Sequence, residues 1–190
     1  MSHPAPPVLL RTPDQILGPF YPISQVADAS GDLTRHAGGQ AEGTVLYVTG
    51  RVMASDGTPV ADARIEIWQA NQHGRYAHPA DANPAPLDPH FGGFAVLHSA
   101  ADGTYRLKTI LPKAYPVSPT SIRPAHIHFL VTGKMERLVT QMYFAGDPYN
   151  ESDPFLKSAR RPEALIVAPI PVPDESGALQ ANWDIVLGAG

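Results

Sequence analysis

The sequence predicts an all-β fold, namely an antiparallel β-sandwich with long functional loops and an irregular N-terminal arm. The chain holds 21 prolines and 16 glycines among 190 residues, and proline interrupts helix interiors and central strands alike, which excludes long helices. Hydrophobic residues make up 43% of the chain and charged residues 17%, which is enough apolar material for a packed core. Short apolar runs separated by turn signals recur along the chain, as they do in sandwiches.

The arm comprises residues 1–44, and the sandwich domain is expected to span residues 45–190. Prolines crowd the first 22 residues of the arm, and a polar stretch follows them. From Val45 onward the pattern changes to strands. Residues 45–53 predict one strand bent around Gly50, and a turn at Asp56-Gly57 ends it.

The second predicted strand, residues 63–69, alternates in polarity. Ile65 and Ile67 face one side, and Glu66 and Trp68 face the other. Long irregular loops are expected over residues 71–93 and 112–124. The remaining predicted elements are strands over residues 105–110, 126–131, 138–144, 166–172 and 183–187, and a loop with a short helical turn over 147–162.

The composition excludes several classes of function. A net charge of −4 at pH 7 argues against a nucleic-acid binder, which needs basic surface for phosphate contacts. The chain contains no cysteine, so disulfide scaffolds, cysteine-ligated metals and thiol nucleophiles are excluded. Neither a secretory signal nor an apolar run of membrane-spanning length is recognisable. We therefore expect a cytoplasmic protein.

The most informative local feature is the segment Arg-Pro-Ala-His-Ile-His-Phe at residues 123–129. In a strand, His126 and His128 point to the same face, whereas Ile127 and Phe129 point to the core. Two imidazoles one strand repeat apart can bind a single metal ion. The alternative interpretation is a pair of structural histidines, and the spacing alone does not identify a metal.

Because cysteine is absent, further ligands are expected to supply oxygen or nitrogen. Tyr76 and Tyr115 stand out, since both are predicted to lie in loops. A single loop tyrosine is more often half-buried packing than a ligand. The carboxylate alternatives, most of which turns and solvent exposure explain, are Glu66, Asp81, Asp88 and Asp102.

Three motifs in a fixed order form a highly specific combination: Gly74-Arg75-Tyr76, Tyr115-Pro116 and Arg123-Pro124-Ala125-His126-Ile127-His128. They occur with Gly18-Pro19-Phe20-Tyr21, Ile65-Glu66-Ile67-Trp68-Gln69-Ala70-Asn71, Leu87-Asp88-Pro89-His90-Phe91-Gly92-Gly93 and Thr140-Gln141-Met142-Tyr143-Phe144. Together these segments resemble the intradiol ring-cleavage dioxygenases over most of the chain.

This resemblance implies a non-haem Fe(III) ion held by Tyr76, Tyr115, His126 and His128. Ferric iron is a hard cation that favours phenolate oxygen, and a bound cation deprotonates a phenol at neutral pH. The implied reaction opens a catechol ring with O2 between its two hydroxyl-bearing carbons and gives a muconate. In the family, the residue matching Tyr115 leaves the metal and takes a proton from the substrate, while Arg123 stabilises negative charge on the ring.

The resemblance also assigns substrate contacts to five further positions, which are Ile16, Gly18, Pro19, Trp68 and Gln141. In the family the N-terminal segment often lines the pocket across a subunit interface. We therefore expect a homo-oligomer in which the arm packs near a neighbouring active site.

The branch of the family is indicated by two features. There is no room for a helical domain before Val45, and residues 87–93 resemble the iron-bearing subunit of the protocatechuate 3,4-dioxygenase type. Protocatechuate is the favoured substrate, with catechol, hydroxyquinol or another substituted catechol as alternatives. Lys134 is the candidate anchor for a substrate carboxylate. Two other classes remain open, a metal-free transthyretin-like sandwich that binds protein or carbohydrate and a zinc-dependent hydrolase.

Overall fold

The computed structural model of the chain describes residues 8–23 and 27–188. The strands in this part of the chain are β1 (Arg35–His36), β2 (Gly39–Gln40), β3 (Val45–Met53), β4 (Arg64–Gln69), β5 (Phe94–His98), β6 (Thr104–Ile110), β7 (Tyr115–Ser118), β8 (Ser121–Arg123), β9 (His126–Thr132), β10 (Arg137–Phe144), β11 (Ile166–Val167), β12 (Ile170–Pro171), β13 (Leu179–Asn182) and β14 (Ile185–Val186). Helix α1 (Pro154–Ser158) and a 3-10 turn (Pro162–Leu165) are the helical elements of the described residues. The predicted all-β class is confirmed.

The strands form two main sheets and two small ribbons. The first sheet has the order β11-β10-β9-β4-β5, and in the second sheet β3 pairs with β6, β13 and β14. The central pairs are antiparallel, as predicted. Three pairs made by the C-terminal strands, β10 with β11 and β3 with β13 and β14, are parallel instead.

The main core lies between the two sheets. Phe129 of β9 is fully buried, and its ring centroid lies 6.2 Å from that of Tyr105 in β6 and 5.0 Å from that of Trp183. Within the second sheet, β3 and the segment after β13 approach each other closely at Gly50, where a Cβ atom would lie 1.9 Å from the carbonyl oxygen of Trp183. Only glycine fits at this position, so the bend predicted there marks a point of close backbone packing.

Several strand predictions need correction. Strand β13 was not predicted, and the predicted strand 166–172 is two short strands, β11 and β12, in different sheets. Strand β5 lies in a stretch for which no strand was predicted, because its residues show no alternation of polarity. Both of its faces are buried: Ala95 contacts the main core, and Phe94 packs in a second cluster on the outer face of the first sheet. The predicted loop 112–124 contains the antiparallel ribbon β7–β8. Tyr115 therefore begins a strand and does not lie in a loop.

Residues 12–23, which we call the strap, run over the outer face of the first sheet. The strap is first tied to β10. Three hydrogen bonds, each 2.8 Å long, join Gln15 N to Val139 O, Thr140 Oγ1 to Pro13 O and Gln141 Nε2 to Ile16 O. A fourth runs from the hydroxyl of Tyr143 to Gln15 Oε1 at 2.9 Å. A long segment that was predicted only as irregular thus has a defined path.

Beyond β10, the strap crosses the next two strands. A Cβ atom on Gly18 would lie 3.1 Å from the ring of His128 in β9. The ring of Tyr21 meets that of Trp68 in β4 edge-on, with centroids 5.1 Å apart. Further along, Asp28 forms a bridge to β5. The strap therefore covers the sheet of its own chain. The expected homo-oligomer, in which the arm packs near a neighbouring active site, stays a prediction.

The division of the chain at residue 44 also stays a prediction. The arm contains the β1–β2 ribbon, and its Leu33 is fully buried in the main core. Within residues 8–23 and 27–188, no helix has the length and apolar character needed to cross a membrane.

Candidate metal centre

The outer face of the first sheet carries the histidine pair. His126 and His128 alternate along β9 with Ile127 and Phe129, which face the main core. Both imidazoles are only 2% exposed, and their Nε2 atoms lie 3.1 Å apart. The predicted orientation of the two rings is therefore what the strand produces.

The loop after β4 delivers Tyr76 to the same place. Asn71 ties this loop down, since its Oδ1 accepts hydrogen bonds from the backbone N–H groups of His73 and Arg75 at 2.9 and 3.0 Å. Gly74 has a φ of +76°, and a Cβ atom there would lie 2.6 Å from the carbonyl oxygen of Ala114. Only glycine permits this close approach. It allows the loop that carries Tyr76 to pack against Ala114, the residue before Tyr115.

The two tyrosines meet the two histidines. The Tyr76 hydroxyl lies 3.2 Å from His128 Nε2, and the Tyr76 ring meets the Tyr115 ring edge-on at 5.3 Å between centroids. The Tyr115 ring lies 5.6 Å from that of His126. Both phenols are buried, at 3% and 4% exposure. The structure thus brings all four predicted metal ligands together.

Without a bound cation, burial controls the protonation of these four side chains. Burial, followed by the positive charge of Arg123, lowers the pKa of His126 to about 3, and the pKa of His128 falls well below its usual value for the same first reason. Burial raises the pKa of Tyr76 well above 10, and the neighbouring phenol of Tyr115 adds to this shift. The imidazoles are therefore neutral, and the phenols keep their protons until a cation is bound.

These donors fit a ferric ion. Two metal–nitrogen bonds of about 2.1 Å at a right angle place the nitrogen atoms about 3.0 Å apart, which agrees with the 3.1 Å between His126 and His128. The described residues contain no group of three His, Cys, Asp or Glu side chains placed to hold a metal. Tyr76 and Tyr115 are the oxygen donors that meet the two histidines, and two phenolates would suit a hard trivalent cation better than zinc.

Arg123 lies beside this cluster as the strand partner of Tyr115 in the β7–β8 ribbon. It is 4% exposed, and its Nε donates to Asp153 Oδ2 at 2.8 Å. One terminal nitrogen donates to Gln141 Oε1 at 2.8 Å and to the hydroxyl of Tyr143 at 2.9 Å. The other, Nη1, makes no hydrogen bond to the described residues. The guanidinium is therefore fixed in place through Nε and one terminal nitrogen.

Some of the predicted substrate-contact residues contact the cluster, and the others are exposed to solvent. Gly18 lies against His128, Trp68 stacks on the same ring, and Gln141 bonds to Arg123. Ile16 and Pro19 are exposed on the strap beside the cluster. Trp68 itself is 1% exposed, so it contacts the ligand His128 and presents almost no surface to a substrate.

Lys134 is also exposed, but it lies away from the cluster. It lies in the turn between β9 and β10, beyond Thr132. From His128, β9 runs four residues to Thr132, about 13 Å at about 3.3 Å per residue, and Lys134 lies two residues further on in the turn. The structure does not bring Lys134 to the site of its own chain.

Sequence reasoning missed two carboxylates. Asp153 is 1% exposed and both pairs with Arg123 and caps α1; the Asp-Pro pair at the start of a short helix was the available signal. Glu66 was one of four carboxylates, most of which were attributed to turns and solvent, but it is 4% exposed on the face that carries the two histidines. Asp81 also differs from that explanation, because its Oδ2 accepts the backbone N–H of Tyr76 at 2.8 Å.

Comparisons with known proteins agree with this site. The chain matches the family described as Dioxygenase over residues 16–189. It is 40% identical over 195 residues to the protocatechuate 3,4-dioxygenase beta chain of Burkholderia cepacia, which covers 98% of this chain and 83% of that protein. It is 34% identical over 185 residues to the catechol 1,2-dioxygenase of Acinetobacter baylyi, covering 90% of this chain and 57% of that protein. The chain thus spans little more than half the length of this second relative.

Among solved structures, a similar one is the dioxygenase domain of a dioxygenase and carbohydrate-binding protein fusion from Streptomyces sp. SirexAA-E. The two share 25% sequence identity with a TM-score of 0.72, over 95% of this chain and 99% of that one. The family match extends across two-thirds of the strap and both sheets. The chain therefore belongs to this dioxygenase family, and the membership predicted from its motifs, in the intradiol ring-cleavage dioxygenases, is confirmed.

Proposed function

We propose that this protein is a non-haem Fe(III) dioxygenase that opens the ring of a catechol-type substrate with O2 and yields a muconate-type product. The observation that carries the proposal is the meeting of two buried phenols and two buried, neutral imidazoles on one sheet face. In this proposal Tyr76, Tyr115, His126 and His128 hold the iron. A bound ferric ion supplies the redox chemistry through which a catecholate ring reacts with O2.

The chain's own residues take three further roles in this proposal. Tyr115 accepts the proton of an incoming diol; it begins a short two-stranded ribbon, so it is less firmly built in than the histidines of the central strand β9. Arg123 directs Nη1 at the substrate and stabilises the negative charge that develops on the ring. The strap covers the ligands and excludes water, because Phe20 packs on Tyr76 with centroids 4.7 Å apart.

Protocatechuate is the substrate we favour. The support is the 40% identity to a protocatechuate 3,4-dioxygenase beta chain over nearly the full length of this chain. Catechol and hydroxyquinol are the competing substrates. Since Lys134 lies far from His128 in its own chain, its proposed contact with a substrate carboxylate requires a second copy of the chain.

The test is made on protein purified after loading with ferric iron. We expect one iron per chain, a visible tyrosinate-to-iron absorption band, O2 uptake and a ring-opened product, with the highest kcat/KM for protocatechuate. A colourless, zinc-loaded protein that opens none of the three rings would disprove the proposed reaction. Higher kcat/KM for catechol or hydroxyquinol would disprove the substrate alone. Lys134→Ala is expected to reduce the selectivity for protocatechuate over catechol, and unchanged selectivity removes Lys134 from the site.

A further inference from the structure

The two histidines of the centre are held in different ways. His126 is oriented by a hydrogen bond of 2.7 Å between its Nδ1 and the carbonyl oxygen of Pro124. The Nδ1 of His128 is buried and has no hydrogen-bond partner among the described residues. Metal-binding histidines are usually oriented through their second nitrogen. His128 is instead stacked on Trp68, with ring centroids 4.7 Å apart and planes 9° from parallel.

Packing is also what holds Trp68. Its indole Nε1 is buried and makes no hydrogen bond within residues 8–23 and 27–188. The ring of Tyr21, which belongs to the strap, meets the indole at 88° with centroids 5.1 Å apart. The orientation of the indole against His128 therefore depends on where Tyr21 lies.

One carboxylate fixes Tyr21. The Tyr21 hydroxyl donates a hydrogen bond to Glu66 Oε2, and the other oxygen of Glu66 pairs with Arg64. Glu66 lies two residues before Trp68, on the same face of β4, and the register sets it opposite Leu130, whereas Trp68 is opposite His128. Glu66 is thus close enough to control the indole but is not itself among the metal-binding side chains.

We propose that Glu66 is a positioning residue for the metal centre: it anchors Tyr21, Tyr21 holds Trp68, and Trp68 orients His128. The same anchor keeps the strap over the four ligands. This inference rests on the proposed function, because it assumes that His128 binds the metal. A purely structural role for the Tyr21–Glu66 pair would stabilise the fold without changing how tightly the metal is held.

The chain offers a matched control. Tyr47 in β3 donates a hydrogen bond of 2.7 Å from its hydroxyl to Glu175 Oε2, so it forms a second tyrosine–glutamate pair on the other sheet. Tyr47→Phe removes the same kind of bond far from the histidines. The test variants are Tyr21→Phe, Glu66→Ala and Glu66→Gln, the last of which keeps an acceptor for Tyr21.

The first measurement is the rate at which iron passes from the loaded protein to a strong chelator, followed by the visible band. Loss of a residue that supports a ligand usually costs about 10–100-fold in metal affinity or activity. For Tyr21→Phe and Glu66→Ala we therefore expect the iron affinity to fall by a factor in this range, seen as faster release of iron to the chelator. Combining these two changes should add little, because both break one chain of contacts. Glu66→Gln should recover part of the loss, and Tyr47→Phe should behave as the unmodified protein.

The second measurement is hydrogen exchange of the Gln15 amide in the iron-free protein, since this amide is bonded to Val139 in β10. We expect faster exchange in Tyr21→Phe and Glu66→Ala than in Tyr47→Phe. Unchanged exchange in both, or faster exchange with the iron held as tightly as in the control, would overturn the proposal. If the unmodified protein binds no iron, the proposed function is refuted instead. In that case, unchanged exchange of the Gln15 amide in Tyr21→Phe and Glu66→Ala would separately refute the role of the Tyr21–Glu66 hydrogen bond in holding the strap.

Discussion

The buried ion pair between Arg123 and Asp153 gives the sharpest stability prediction. The Asp153 side chain is fully buried and that of Arg123 is 5% exposed. Asp153 Oδ2 accepts from Arg123 at 2.8 Å, while Oδ1 accepts the backbone N–H groups of Phe155 and Leu156 at 2.8 and 3.3 Å. One carboxylate thus neutralises the guanidinium and caps α1.

Two substitutions of Asp153 test the ion pair and the helix cap separately. Breaking a buried ion pair by removing one partner costs about 3–5 kcal/mol, and losing a helix N-cap costs about 1 kcal/mol. Asp153→Asn keeps an oxygen for the cap and should lose about 3–5 kcal/mol of unfolding free energy. Asp153→Ala should lose about 1 kcal/mol more. The total would consume nearly all the stability of a domain at the low end of the usual range of about 5–15 kcal/mol.

Urea unfolding followed by circular dichroism measures these losses. Asp174→Asn, at an exposed position, is the control for changing an acid to an amide and should leave the midpoint unchanged. Joining Asp153→Asn with Arg123→Met removes both charges and should recover much of the loss, because apolar replacement of a buried pair is often neutral. A loss below about 1 kcal/mol for Asp153→Asn would show that the pair is not an essential buried interaction.

Three further predictions concern the site. Tyr76→Phe, His126→Ala and His128→Ala should each lose the iron or its visible band, and iron retained with an unchanged spectrum would contradict that ligand. Arg123→Met, made together with Asp153→Asn, should keep the iron but lower kcat by about 10²–10³-fold, and near-normal turnover would make Arg123 structural. Deleting residues 1–22 should reduce both activity and assembly size in gel filtration, whereas a truncated protein with full turnover would show that the strap is dispensable.

The strand that carries both histidines, β9, was predictable because apolar residues alternate with histidines over residues 126–129. In β9, Ile127, Phe129 and Val131 fill the main core at every second position, and this alternation identifies a strand without any structure. Strand β5 escaped prediction for the opposite reason. Its two faces are both covered, one by the main core and the other by the cluster beneath the strap.

The ligand set was accessible from motifs, but its support was not. Nothing in the local sequence distinguishes a solvent-exposed Glu66 from one that a distant tyrosine covers, since Tyr21 is 45 positions away. The same is true of Asp153, whose partner Arg123 is 30 positions away. Such carboxylates acquire their surroundings only when the chain folds, and local patterns report only on neighbours a few positions apart.

The path of the strap also bears on the order in which the molecule folds. Its bonds to β10 join residues more than 120 positions apart, as between Pro13 and Thr140, and contacts of such sequence separation close the largest loops and form slowly. During synthesis the strap is made well before β10, the strand on which it docks. The face with the two histidines is therefore uncovered while β9 and β10 assemble. For the proposed iron site, this order leaves the ligands open to a metal ion until the strap docks.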